Sequence, residues 1–165
     1  LGEILDPTAL AGRAIVQAGP LRGGKTPGFS NLDDLLAQTG PLTAETAPIL
    51  MPADLLFDSD QAELQSQAVA SLKKLAELIQ RNPQATFLIE GHTDSFGSAE
   101  YNLALSQRRA DVVKMWLVNV MQTPPDRTET RGYGETRLLA PDTGTSEEQQ
   151  INRRVEIVIR TKKTP

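Results

Sequence analysis

Cysteine is absent from this 165-residue chain, and histidine occurs once. These absences exclude disulfides, thiolate metal sites and a cysteine nucleophile, and they leave no His/Cys pair with metal-ligand spacing. Aromatic residues make up only 4% of the chain, so the core must be mainly aliphatic. Acidic residues outnumber basic ones by 21 to 17, which argues against a nucleic-acid partner because a binding surface must offset phosphate charge.

Long hydrophobic runs are also missing. No apolar stretch approaches the roughly 20 residues that span a bilayer, and no secretory signal is visible. The chain begins at Leu1 rather than at methionine. We therefore expect a mature product or an expressed fragment, with any membrane anchor upstream of the sequence.

Residues 1–49 differ in character from the rest of the chain. The segment AGPLRGGKTPGFSN at 18–31 is rich in glycine and proline and is typical of a loop or linker. Short helical turns are predicted at 9–18 and at 31–40, the second with Asn31 as its N-cap and Gly40 as its terminator. We interpret 1–49 as an extension, 50–161 as the main domain and 162–165 as a tail.

Apolar periodicity predicts the elements of the main domain. Short apolar or alternating runs indicate strands, and apolar residues at three- and four-residue spacing indicate two amphipathic helices. The first helix takes Ser59 or Asp60 as its N-cap. The predicted elements are strand 53–57, helix 61–80, strand 85–91, helix 98–121, strand 128–134 and strand 153–161. This βαβαββ order predicts an α+β fold with a mixed sheet and both helices on one face.

Three polar residues of the second helix fall on the face meant for the core. A wheel at 100° per residue places Asn102, Ser106 and Arg109 within the apolar arc. A buried arginine remains charged and is costly without a partner. Asp94, in the turn GHTD just upstream, is the natural carboxylate.

Two interpretations of Asp94 and Arg109 remain open. They can form an internal salt bridge that ties the turn to the helix. Alternatively, they can flank a cleft in which Asp94 takes the ammonium of a ligand and Arg109 takes its carboxylate. His92 is more typical of a structural residue than of a catalytic one.

The run LIEGHTDSFGSAEYNLALSQRRADVV resembles the signature of OmpA-like C-terminal domains, which also occur in Pal lipoproteins and MotB stators. LLFDSDQAEL at 55–64, RGYGETRLLAP at 131–141 and INRRVEIVI at 151–159 resemble further segments of that family in the same order. The resemblance covers about residues 50–161, and nothing before about residue 50 contributes to it.

This resemblance implies non-covalent binding of peptidoglycan through the meso-diaminopimelate of its stem peptide. It places Asp94 and Arg109 on the amino and carboxylate groups of that residue. It adds Asn102 to the site, Asp58 and Ser59 at the rim, and Arg153 nearby.

We therefore expect a periplasmic binding module that tethers a membrane or envelope protein to the wall of a Gram-negative-type bacterium, with no cofactor and no enzymatic activity. A homodimer is left open. The alternative is a periplasmic protein–protein adaptor in which Asp94 and Arg109 form a purely structural salt bridge. A wall hydrolase is disfavoured because neither a placed carboxylate pair nor a metal cluster is evident.

Overall fold

The computed structural model describes residues 26–161, so the predicted helical turn at 9–18 and the tail at 162–165 lie outside the described residues. Its helices and strands, in chain order, are α1 (Leu32–Ala37), β1 (Ile49–Pro52), α2 (Ala53–Leu56), α3 (Ala68–Arg81), β2 (Ala85–His92), α4 (Ala99–Met121), β3 (Thr128–Gly132) and β4 (Arg154–Thr161). Short 3-10 helices lie at Pro125–Arg127 and Gln150–Asn152. Within this part of the chain, no helix is both long and apolar enough to cross a membrane.

The four strands form one mixed sheet in the order β1-β4-β2-β3. Strand β4 runs antiparallel to both β1 and β2, whereas β2 and β3 are parallel. The parallel pair is joined by α4, because a crossover between parallel strands needs a long connection. The predicted α+β class with a mixed sheet is confirmed.

Side chains alternate across the sheet and so divide it into two faces. The face toward α3 and α4 is apolar, and its core includes Phe87, Ile89, Val155 and Ile157. The buried residues Leu35 and Leu42 belong to the same core, so residues before 50 contribute to its packing. Asn31 accepts hydrogen bonds from the first turn of α1, as predicted, but that helix ends at Ala37, and Gln38 rather than Gly40 is the residue that follows it.

The first strand was predicted four residues too late. Residues 49–57 are mostly apolar, and the strand uses Ile49–Pro52 while Ala53–Leu56 make a helical turn. Proline explains the division, since its fixed φ suits the start of a helix and Pro52 has a φ of −62°. The prediction of a strand at 53–57 is therefore wrong.

The first long helix also begins later than predicted, at Ala68 rather than near residue 61. Neither Ser59 nor Asp60 caps it. Asp60 has a φ of 58°, a left-handed conformation that aspartate tolerates in turns. Residues 58–67 therefore form an irregular turn, and this turn becomes one wall of the cleft described below.

Helix α4 crosses the sheet at very short range. A Cβ atom added to Gly91 would lie 2.1 Å from the Ser106 carbonyl oxygen, and one added to Gly132 would lie 2.4 Å from the Gln107 nitrogen. Only glycine permits such an approach of backbone to backbone. This close packing fixes α4, and hence Arg109, relative to the ends of β2 and β3.

The second face of the sheet is covered by the segment after β3. Leu139, Ala140 and Ile151 form a small apolar cluster there, packed against Phe29 and Leu50. Asn152 fixes the covering segment, because its side-chain oxygen accepts hydrogen bonds from the backbone N–H groups of Leu139 (2.6 Å) and Ala140 (2.8 Å).

Candidate functional site

The turn between β2 and α4 presents Asp94. Its Oδ1 accepts a hydrogen bond from the Phe96 backbone N–H at 3.1 Å, an Asx turn that holds the side chain still. Ser98 then caps α4 by accepting from the Tyr101 N–H at 3.0 Å. The remaining carboxylate oxygen, Oδ2, lies 2.9 Å from Arg153 Nη1.

Asn102 and Ser106 occupy the core-facing side of α4 because they hold neighbouring loops. The Asn102 Nδ2 donates to the carbonyl of Phe96 (2.9 Å) and to Glu135 Oε1 (2.8 Å). The Ser106 hydroxyl accepts from the Gly134 N–H at 2.8 Å and donates to the Leu103 carbonyl. Both side chains therefore position the loops that border the site.

Arg109 differs from these two residues because it carries a charge, yet its hydrogen-bond partners are neutral carbonyl groups. Its Nε donates to the Gln61 carbonyl at 2.8 Å and its Nη2 to the Asp58 carbonyl at 3.2 Å. The guanidinium carbon lies 5.0 Å from the centre of the Phe57 ring. Among residues 26–161, no carboxylate forms an ion pair with Arg109, although the residue is only 6% exposed.

The electrostatics of Arg109 follow from this burial. Loss of water lowers the pKa of the Arg109 guanidinium, and the more distant Asp54 and Asp60 offset that effect only in part. An arginine remains protonated at any physiological pH even so. The Nη1 atom makes no hydrogen bond to the described residues, so Arg109 offers an incompletely paired cation to the adjoining space.

All three guanidinium nitrogen atoms of Arg153 donate hydrogen bonds. Its Nε and Nη2 donate to the Asp54 carboxylate, both at 3.1 Å, while Nη1 reaches Asp94 Oδ2 and the Ser146 carbonyl (3.0 Å). Burial alone would lower the pKa of Arg153, but the hydrogen bonds to Asp54 and Asp94 outweigh that effect and raise it. Arg153 therefore joins α2, the β2–α4 turn and the segment before β4.

These elements enclose a cleft with a volume of about 500 Å³. All six residues that the sequence singled out line it: Asp58, Ser59, Asp94, Asn102, Arg109 and Arg153. Asp58 is exposed at the rim, where its Oδ1 accepts from Gln65 Nε2 at 3.0 Å. The structure thus brings together side chains that lie up to 95 positions apart in the chain, from Asp58 to Arg153.

Sequence reasoning missed several lining residues, of which Asp54, Asp60 and Phe96 matter most. Asp54 was missed because residues 53–57 were predicted as a strand, whereas the helical turn directs this carboxylate at Arg153. Phe96 lies in the loop after GHTD and is 52% exposed. An aromatic residue within a polar turn was the available signal for it.

The charges of the cleft favour a ligand that carries both signs. Four carboxylates (Asp54, Asp58, Asp60 and Asp94) face two guanidinium groups (Arg109 and Arg153) among the lining residues. Arg109 can donate charge-assisted hydrogen bonds from Nη1 to an anion, and the carboxylates of the cleft can accept hydrogen bonds from an ammonium. No histidine lines the cleft, and His92 is buried against Glu90 instead.

The mixed sheet, the helices on one face and the cleft at the junction of β2 and α4 define a class of small α+β domains. A family model described as "OmpA family" matches residues 56–153. The chain belongs to the OmpA family. The resemblance noted from the sequence is thereby confirmed.

Individual relatives agree with this assignment. Outer membrane porin F of Pseudomonas aeruginosa is 40% identical over 116 residues, which cover 70% of this chain and 32% of the porin. The crystal structure of the peptidoglycan-associated lipoprotein from Burkholderia pseudomallei matches with a TM-score of 0.57 and 33% identity, covering 64% of this chain and 88% of that chain.

The similarity also reaches beyond the main domain. Outer membrane protein Omp38 of Acinetobacter baumannii is 32% identical over 166 residues, covering 98% of this chain and 45% of Omp38. Residues before 50, which contributed nothing to the resemblance in the sequence, are thus included in this match. The chain spans about a third of porin F and less than half of Omp38.

Proposed function

We propose that this domain binds peptidoglycan non-covalently through the meso-diaminopimelate of its stem peptide. The observation that carries the proposal is Arg109, a buried cation that lines an open cleft and has no ion-pair partner among the described residues. Burying such a charge is costly, and a ligand carboxylate would compensate for that cost. The name of the matched lipoprotein, which is peptidoglycan-associated, supports the same ligand.

The proposed binding mode follows from the geometry. The free end of diaminopimelate carries an ammonium and a carboxylate on one carbon atom. Its carboxylate would receive hydrogen bonds from Arg109 Nη1, and its ammonium would lie toward Asp94 and the acidic rim at Asp58 and Asp60. Arg153 would serve as a positioning residue, because its guanidinium already holds Asp94 in place.

The structure does not support the alternative function, a protein–protein adaptor with a structural salt bridge. It requires a salt bridge between Asp94 and Arg109, whereas Asp94 pairs with Arg153. We propose no catalytic activity either. Asp54 and Asp94 both accept hydrogen bonds from Arg153, so neither is placed to donate a proton to a glycosidic oxygen.

We further propose that the domain lies in the periplasm and anchors a membrane or envelope protein to the wall. The acidic net charge of −4 and the charge pattern of the cleft fit a zwitterionic wall peptide rather than nucleic acid. The names of porin F and Omp38, both outer membrane proteins, support a location in the envelope.

Calorimetric titration of the full chain with two matched stem peptides tests the ligand assignment. One peptide carries meso-diaminopimelate, and the other carries lysine, which keeps an ammonium but lacks the terminal carboxylate. We expect the lysine peptide to bind at least 30-fold more weakly, in line with the ~2–4 kcal/mol that accompany loss of a charged hydrogen-bond partner. Equal affinities would contradict the proposal.

A pair of variants assigns the effect to the cleft. Arg109→Gln removes the cationic group of the cleft, and we expect it to abolish the preference for the diaminopimelate peptide. Arg160→Gln removes the same charge from an exposed pair with Glu129 on β3, outside the cleft, and should bind like the wild type. An Arg109→Gln variant that still discriminated between the peptides would place the ligand elsewhere.

A further inference from the structure

Among the described residues, the apolar side chains that line the cleft are Phe57, Leu105 and Phe96. Phe57 and Leu105 are buried, and the centre of the Phe57 ring lies 5.0 Å from the guanidinium carbon of Arg109. Phe96, in contrast, is exposed. The cleft therefore has an apolar floor next to its buried cation and a separate aromatic ring in contact with solvent.

The backbone of Phe96 is held in place within the turn between β2 and α4. Its N–H donates to Asp94 Oδ1 at 3.1 Å, and its carbonyl accepts from Asn102 Nδ2 at 2.9 Å. Gly97 follows with a φ of 93°, and a Cβ atom there would lie 3.7 Å from Cδ2 of Tyr101, so the Tyr101 ring lies beside the turn. An aromatic side chain on such a fixed backbone loses little freedom on binding, because only two torsion angles must be ordered.

Exposure alone does not assign a role to Phe96, because single exposed apolar side chains are common on protein surfaces. Other large ones among the described residues include Met115 and Val120, and neither of these lines the cleft. Phe96 differs from them because it borders the space that also contains Arg109 and Asp94. A ligand held by those two charged residues would cover the Phe96 ring and remove it from water.

Chain distances indicate which part of the ligand would reach Phe96. Phe96 lies two positions after Asp94, and its N–H donates to that carboxylate, so the ring lies close to the residue that would hold the charged end of diaminopimelate. One peptide residue spans at most about 3.6 Å. The sugars of the glycan strand, separated from diaminopimelate by two residues, would therefore lie farther away than the amino acids that adjoin it.

The charge of the cleft distinguishes between the two adjoining amino acids. In stem peptides of this type, a glutamate with a free carboxylate precedes diaminopimelate and an alanine follows it. The four carboxylates of Asp54, Asp58, Asp60 and Asp94 outnumber the two guanidinium groups of the cleft, and like charges brought together oppose binding. The uncharged alanine is therefore the neighbour that fits beside Phe96, because its methyl group can pack against the ring.

We propose that Phe96 determines specificity by packing against the alanine that follows diaminopimelate, so that the domain prefers stem peptides that keep this alanine. The inference rests on the proposed function, because it extends the same ligand from the same cleft. A stem peptide that ends at diaminopimelate would lose the contact with the ring. It would also place a terminal carboxylate near Asp94 and the acidic rim at Asp58 and Asp60.

Calorimetric titration of the full chain with three stem peptides tests this preference. All three begin with L-alanyl-γ-D-glutamyl-meso-diaminopimelate, and they continue with D-alanine, with glycine or with no further residue. We expect the glycine peptide to bind about fourfold more weakly than the alanine peptide, as the burial of one methyl group predicts. The peptide that ends at diaminopimelate should bind more weakly than both. Equal affinities for the alanine and glycine peptides would overturn the proposal.

Variants of Phe96 assign the preference to its ring. Phe96→Ala should bind the alanine and glycine peptides equally, while it retains the preference of the wild type for diaminopimelate over lysine. Phe96→Leu keeps an apolar side chain and should still prefer the alanine peptide to the glycine peptide. Met115→Ala is the matched control, because Met115 is also 52% exposed but lies on α4 outside the cleft. It should keep both preferences.

Failure of the role of Phe96 can be distinguished from failure of the proposed function. A wild type that binds the diaminopimelate and lysine peptides equally would contradict the proposed function, and the role of Phe96 with it. A wild type that prefers diaminopimelate to lysine but does not prefer alanine to glycine would contradict only the role of Phe96. A Phe96→Ala variant that kept the alanine preference would do the same. So would a Phe96→Ala variant that lost both preferences, because the ring would then support the whole cleft.

Discussion

The carboxylate of Asp94 is paired with Arg153, at 2.9 Å and 59 positions away in the chain, and not with Arg109. This ion pair gives the two arginines different roles, which the sequence did not distinguish. Arg153 binds Asp94 and Asp54 and stabilises the walls of the cleft. Arg109 binds only carbonyl groups of the described chain and keeps part of its guanidinium directed at the open space.

Arg109→Gln should therefore alter binding far more than folding. The variant loses hydrogen bonds to the carbonyls of Asp58 and Gln61, which are worth about 1.5–3 kcal/mol each when the donor is charged. The variant also removes a guanidinium whose pKa is lowered by burial. Removing this buried charge stabilises the fold and so offsets part of the loss of hydrogen bonds. We expect the free energy of unfolding in urea to change by less than about 2 kcal/mol.

The companion measurement for Arg109→Gln is thermal unfolding with and without the diaminopimelate peptide. A ligand that binds only the folded state raises the melting temperature by mass action. The wild type should show such a rise and the variant should not. A variant that melted far earlier but bound the peptide normally would make Arg109 a structural residue.

Arg153→Gln should instead destabilise the fold. It leaves Asp54 and Asp94 close together without their shared cation, and because these side chains are 40% and 14% exposed, solvent reduces the cost to about 1–2 kcal/mol. The double variant Asp54→Asn/Arg153→Gln should recover part of the loss, since it removes one of the two carboxylates. Urea unfolding at pH 7 measures both effects.

The contribution of Arg153 should not vary between pH 5 and pH 9. The pKa of Arg153 in the folded protein is raised above the ordinary value for arginine, because the hydrogen bonds to Asp54 and Asp94 outweigh the effect of burial. Its stabilisation is therefore complete below the unfolded pKa and is lost only as the pH rises through the still higher folded pKa. A difference between wild type and Arg153→Gln that changed steeply across this range would contradict the assignment.

Gly91→Ala should be among the most destabilising single substitutions in the chain. Its Cβ would lie 2.1 Å from the backbone carbonyl of Ser106, and backbone cannot move aside as a flexible side chain can. Overpacking commonly costs about 1–3 kcal/mol, and we expect at least the upper end here. Gly40→Ala is the matched control, because a Cβ there meets nothing within 4 Å and should leave the unfolding midpoint unchanged.

Much of the sheet and of the second helix could be predicted because their patterns are strong. The alternation in residues 85–91 and the apolar spacing in residues 98–121 each admit one interpretation, and β2 and α4 begin where predicted to within one residue. The run at 49–57 admits two interpretations. Apolar content alone cannot tell a strand followed by a helical turn from a later strand, and Pro52 decides between them through its backbone angle.

Part of the lining of the cleft could be predicted from the sequence, but the pairing of its side chains could not. The motif around GHTD identified Asp94, Asn102 and Arg109, and all of them line the cleft. Which arginine would reach Asp94 depends on how β4 lies against β2, a tertiary relationship that no local pattern encodes. The irregular turn at 58–67 was missed for a similar reason. Its carbonyl groups at Asp58 and Gln61 accept hydrogen bonds from Arg109, and no local pattern indicates this contact with α4.

The placement of Arg153 immediately before the last strand has a consequence for the order of assembly. Asp54 lies near the start of the sheet, Asp94 in its middle, and the cation that joins them enters only when β4 inserts between β1 and β2. Until then, the carboxylates of Asp54 and Asp94 lack the guanidinium group that orients them. A chain that lacked β4 and Arg153 would therefore not form the cleft even in part, because the cleft requires the completed sheet.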